Sequence, residues 1–185
     1  MGAMSSPRPS SAERRAQLLD AADVVFAEHG VTAPLDLIVE RAQVGRATLY
    51  RQSPDRRAIM LALLDRSVEK TRAAADTMHN DDEAFFKLLA LVAERIAYSA
   101  TLVDYWRTVD KGDEEIRRAR KQMWHVFEEP MKRAVDKGLS AHVLDAKELS
   151  LVFGMLGGAL RGETPAQRKQ LARRALQIIL DGIKA

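Results

Sequence analysis

The chain contains no cysteine, which excludes disulfides, thiolate metal sites and thiol catalysis and fits a reducing compartment. It contains no apolar run near the roughly 18 residues that a spanning helix needs, and its amino end lacks the h-region of a signal peptide. Its four histidines, His29, His79, His125 and His142, are scattered. No two stand at i, i+3 or i+4, so no helical metal pair is available and no metal is expected. Gly-rich phosphate loops, a nucleophile elbow and a capped acid dyad are missing too. Catalysis therefore has no constellation to rest on, and the chain is read as a non-enzyme that needs no cofactor. Strand-like alternation and repeat periods are also absent.

What is present describes a folded protein: 46% hydrophobic and 30% charged residues in 185, ample for a core. The net charge of +3 is too small to name a partner, so the distribution of charge matters more. From Arg41 to Arg57 there are five arginines (Arg41, Arg46, Arg51, Arg56, Arg57) against one acid, Asp55. Within that window lies "VGRATLYR".

The pattern is helical nearly throughout. Met1-Gly2-Ala3-Met4 has the look of an expression scar before a native start at Met4, and residues 1–11, rich in Ser and Pro, are expected to be a flexible tail. Over 12–29, Leu18, Ala22, Val25 and Phe26 share one helix face, and Gly30 supplies the stop. Leu35, Ile38, Val39 and Ala42 repeat behind Pro34. After Gln43-Val44-Gly45 comes a short helix from Arg46 to Gln52. Either Ser53 or Asp55 caps the next one, which runs to about Asp76. Further helices are expected from the Asn80-Asp81-Asp82 cap to Tyr98, over 101–109, from Asp113 to Lys137 with a bend at Pro130, from Asp145 to Arg161, and from Pro165 to Ile183. The fold class is thus all-α with about nine helices: a three-helix domain at 12–57 and a helical bundle at 58–185.

Two short helices joined by a few residues are the arithmetic of a helix-turn-helix. In such a unit Val44 and Leu49 anchor the second helix inward. Arg46, Ala47, Thr48, Tyr50, Arg51 and Gln52 then form the outward surface. Arginine can fork onto guanine, Thr and Tyr hydroxyls can bond phosphates, and Ala47 lets the backbone come close. A merely solvated charged face is the competing reading.

At these residues the chain resembles a known family. "LLDAADVVFAEHG", "LDLIVERAQVGRATLYR" and "PDRRAIMLALL", from about Leu18 to Leu64, look like the amino-terminal domain of the TetR family of bacterial transcriptional regulators. Gln43 stands where the family usually has Gly; a left-handed conformation there strains a side-chain-bearing residue by about 1–2 kcal/mol. Gln52-Ser53 replaces the usual His-Phe, and Gly45 stands where a serine cap is common. The resemblance implies that Arg46, Ala47, Thr48 and Tyr50 face an operator, with Arg51 facing it or paired within its own domain.

It also implies a cytoplasmic homodimer that represses by gripping a palindromic double-stranded operator and lets go when a small-molecule effector binds. The alternative is a helical adaptor with a degenerate helix-turn-helix. Tyr105, Trp106, Met123, Trp124 and Phe127 are the candidates for an effector pocket, or are plain core. The expected helix at 145–161 is rich in glycine, and the last helix, 165–183, carries a wide apolar surface. Leu149, Phe153, Gly157, Leu160, Leu171, Ala175, Ile178 and Ile179 are the candidates for a dimer interface, a buried helix pair in a monomer being the alternative.

Overall fold

The structure, a computed structural model, describes residues 10–98 and 112–184. The helix expected over 101–109 lies outside them, as does most of the expected tail. The described residues are helical with no strand, apart from one isolated antiparallel bridge between Ser140 and Lys184. None of their helices is long and apolar enough to cross a membrane. The chain divides into two compact units, Met1–Leu63 and Leu64–Ala185. The division falls inside a helix, six residues beyond the boundary expected at 57, because the first turns of that helix bury Ile59, Met60 and Leu63.

In the first unit α1 (Ser11–His29) starts at a reciprocal cap. The Glu13 amide donates to Ser10 Oγ at 3.2 Å and the Ser10 amide to Glu13 Oε2 at 2.6 Å. Those bonds hold the Glu13 carboxyl below its ordinary value. The expected face is buried, Leu18, Ala22, Val25 and Phe26 among it. Gly30, at φ 84°, ends the helix by donating to the Phe26 carbonyl. α2 (Leu35–Ala42) buries Ile38, and α3 (Arg46–Gln52) buries Leu49. α4 (Arg56–Thr77) begins behind Asp55, whose Oδ1 accepts from the Ala58 amide at 2.7 Å. Asp55 is therefore the cap, and Ser53 instead is a buried residue bonded through its amide to the Leu49 carbonyl.

In the second unit α5 (Ala84–Tyr98) follows a turn organised by Asp81, which accepts from the Glu83 amide and from Lys87 Nζ. α6 (Glu114–Asp136) is capped by Asp113 and continues as one helix through Pro130. It ends in a complete Schellman motif: Leu139 donates to the Ala134 carbonyl and Gly138, at φ 68°, to that of Val135. α7 (Ala146–Leu156) and α8 (Pro165–Ile183) carry capping boxes at Asp145/Glu148 and Thr164/Gln167.

The helix expected to reach Arg161 changes character at Gly157, where a 3-10 segment, Gly157–Arg161, takes over. Two adjacent glycines weaken the α-helix there, and the last turn tightens. The core of this unit is a chain of edge-on rings, Phe85 to Phe127 at 6.2 Å and Phe127 to Phe153 at 5.5 Å between centroids. Leu88, Leu89, Leu149, Leu156, Ile179 and Ile183 surround it.

Candidate nucleic-acid interface

Side-chain ties hold the first unit's helices. Arg41 Nη1 on α2 meets Glu28 Oε2 on α1 at 2.5 Å, a hydrogen bond that keeps the Glu28 carboxyl below its usual range. Arg56 donates to the Val31 carbonyl and lays its guanidinium over the Phe26 ring at 5.8 Å. Arg41 and Arg56 are thereby engaged in the fold of their own domain.

The turn between α2 and α3 depends on Gln43, which adopts φ 53° and ψ 40°. The reason is again a Schellman closure: the Val44 amide reaches the Val39 carbonyl and the Gln43 amide that of Glu40, both at 3.2 Å. Only a left-handed residue can direct both amides back at the helix it leaves. Gly45 then starts α3 in an extended conformation, its carbonyl accepting from Thr48 at 2.8 Å.

α3 is seven residues long, two turns and about 10 Å. Leu49 is 1% exposed and pins it, while Tyr50 is 51% exposed. Arg46, Ala47 and Arg51 are exposed and Thr48 is partly buried. Gln52 departs from the expected outward set: it is half-buried, and its Nε2 donates to Ser11 Oγ at 3.1 Å, tying the end of α3 to the start of α1. Of the two exposed arginines of α3, Arg46 is the one that pairs with an acid among the described residues. Its Nη2 lies 2.8 Å from Asp36 Oδ2, in the first turn of α2. Pairs as open as this one contribute at most about 1 kcal/mol to stability. Asp36 carried no signal in the sequence, because the pairing spans ten residues and a turn whose geometry a linear pattern does not contain.

In the second unit, Tyr105 and Trp106 of the pocket candidates lie outside the described residues. Phe127 is fully buried between Phe85 and Phe153, and Met123 and Trp124 are partly buried against the same core. Arg95 is half-buried. It donates to the Ser67 carbonyl and to Thr71 Oγ1, at 3.2 and 2.8 Å, and burial lowers its pKa from the ordinary value.

The interface candidates divide. Leu149 and Ile179 belong to their own unit's core, because the 149–152–156 stripe of α7 and the 179–183 stripe of α8 face inward. Gly157 is buried, Phe153 and Ala175 are partly buried, and the Leu160 side chain lies outside what is described. Leu171 and Ile178 are exposed. Two further exposed apolar residues, Leu151 and Met155, stand one helical turn apart on α7. At Gly154 and Gly158, among the described residues, no atom outside the immediate chain neighbours and local helix backbone comes within 4 Å of where a Cβ would be. Gly162 differs: a Cβ there would sit 2.6 Å from the Arg168 amide nitrogen.

With this geometry in place, comparison with known proteins is direct. Residues 18–63 match the family model described as bacterial regulatory proteins, tetR family. A TetR transcription regulatory protein from Mycobacterium vanbaalenii is 23% identical at TM-score 0.69, with 95% of this chain and 97% of that one covered. A TetR transcriptional regulator from Streptomyces coelicolor is 26% identical at TM-score 0.68, covering 92% and 98%. The fatty acid degradation regulator FadR from Bacillus halodurans is 20% identical at TM-score 0.65, covering 90% and 98%. No curated protein matches.

Proposed function

We propose that this chain, whose residues 18–63 carry the tetR-family domain, is a cytoplasmic transcriptional repressor that grips a palindromic operator as a homodimer and is released by a small-molecule effector. The observation that carries the reading is α3. A buried Leu49 holds a two-turn rod whose other sides present Arg46, Ala47, Tyr50 and Arg51 to solvent. Two copies of such a rod on a two-fold axis match half-sites about 34–36 Å apart. Arg46 and Tyr50 then meet base edges or phosphates, Thr48 and Arg51 meet phosphates, and Ala47 allows the close approach.

The two-fold partner belongs on the exposed apolar residues of α7 and α8, Leu151, Met155, Leu171 and Ile178. The open backbone at Gly154 and Gly158 supports this, because glycines that no other described element crowds suit contact with a second copy. The effector is assigned to the second unit, against the partly buried Met123 and Trp124. It acts by a balance of a few kcal/mol between two spacings of the reading helices.

The test is binding of the full chain to a duplex it selects from a random pool. Arg46→Ala lowers affinity for that duplex at least about 5-fold while sedimentation still reports a dimer. Failure of the wild-type chain to select any duplex refutes the reading and favours a helical adaptor.

A further inference from the structure

The ion pair at the start of the reading helix has a use beyond the fold. We propose that Asp36 is a positioning residue for Arg46 and sets how strongly the reading surface prefers one duplex sequence over others. This rests on the reading of α3 as the surface that meets DNA.

Three observations carry it. First, Asp36 Oδ2 and Arg46 Nη2 are 2.8 Å apart, and this is the one contact between the two side chains. A guanidinium has five N–H donors, so four remain for a ligand while one fixes its plane. Second, the pair is open to water, the Arg46 side chain being 71% exposed and that of Asp36 48%. The domain has other ties in Arg41–Glu28 and Arg56–Val31. Such an open pair adds little to stability, so the fold does not require a carboxylate at this position. Third, a carboxylate beside the exposed Arg46 is adverse for approach to a polyanion. At about 0.1 M salt it acts over roughly 10 Å, far enough to reach phosphates lying against α3.

An acid that weakens its own surface for phosphates makes physical sense if it discriminates. A complex held by phosphates alone loses from the added negative charge. A complex in which Arg46 forks onto guanine O6 and N7 keeps its bonds, because Asp36 occupies a different N–H and holds the fork in place. The carboxylate therefore penalises sequence-independent binding more than binding to the matching site.

The experiment uses the full chain and two duplexes of equal length, the one selected by the wild type and a scrambled one. Both are titrated by fluorescence anisotropy at several salt concentrations. Asp36→Asn is expected to cut the ratio of selected to scrambled affinity about 10-fold, mainly by tightening the scrambled complex, and to steepen the latter's salt dependence by up to about one unit. With Arg46→Ala already present, the same change leaves the ratio within about 2-fold. Asp36→Glu recovers part of the lost ratio, and the melting temperature stays near that of the wild type.

An Asp36→Asn ratio equal to the wild type's overturns the proposal, as does an equal fall with and without Arg46. Either result leaves the regulator reading intact. A wild-type chain that selects no duplex overturns the regulator reading, and the proposal falls with it.

Discussion

Replacing Gln43 with glycine should make the protein more stable although it deletes a side chain. Gln43 sits at φ 53° and closes the α2 terminus through two 3.2 Å amide bonds. Its side chain is exposed, so truncation removes no buried surface. A side-chain-bearing residue in this region is strained by about 1–2 kcal/mol. Glycine removes that strain but loses about 0.5–1 kcal/mol more backbone entropy on folding. The balance is a gain of about 0.5–1 kcal/mol. Gln43→Ala keeps the strain and serves as the reference, since it differs from Gln43→Gly by a single methyl group.

Tryptophan fluorescence is a poor assay here: both tryptophans, Trp106 and Trp124, lie beyond Leu63, outside the unit that changes. Calorimetry, with hydrogen exchange at the amides of Val44 and of α3, reads the correct unit. If the first unit melts by itself, the gain corresponds to about 2–8 °C; if the chain melts as one, to about 1–4 °C. Equal stability of the glycine and alanine variants would refute the strain at Gln43 and the closure argued from it.

Two further changes probe the second unit. Gly162→Ala places a Cβ 2.6 Å from the Arg168 amide nitrogen, which is backbone and cannot swing aside. It should destabilise by about 1–3 kcal/mol in urea unfolding, whereas Gly182→Ala, with no described atom within 4 Å of its Cβ position, should not. Asp81 and Lys87 bear on pH dependence. The hydrogen bond from Lys87, and after it that from the Glu83 amide, lowers the Asp81 carboxyl, while the same carboxylate raises Lys87. The acid's contribution is therefore complete above the ordinary carboxylate range and lost as pH falls through its depressed pKa. The lysine's contribution is complete below the ordinary lysine value and lost as pH rises through its raised one. The difference in melting temperature between wild type and Asp81→Asn should be flat between about pH 5 and 9 and shrink on both sides. A difference that persists at acid pH would show that the ion pair is not its source.

Much of this protein was legible in one dimension. Helix starts such as Asp113 and Asp145, stops such as Gly30 and Gly138, and the stripes of α1 and α2 are local signals, each acting within a turn or two of its own position, whereas the Ser10 cap fell in the stretch expected to be a tail. The tetR-like segment was likewise readable, and with it the exposed course of α3 around Leu49, since a seven-residue helix with a single inward leucine has little freedom.

Tertiary structure decided the remainder. On α7 nearly every residue from Leu149 to Leu156 is apolar, so periodicity could not say which stripe turns inward. Packing against the Phe85–Phe127–Phe153 rings did, leaving Leu149 at 2% exposure and Leu151 at 63%. Gln52 turned toward Ser11, and Arg46 found an acid in Asp36, because those contacts depend on where the ends of α1 and α2 lie in space. A helical pattern states which residues share a face; which neighbour that face meets is settled by the other helices, whose positions no local stretch of sequence records.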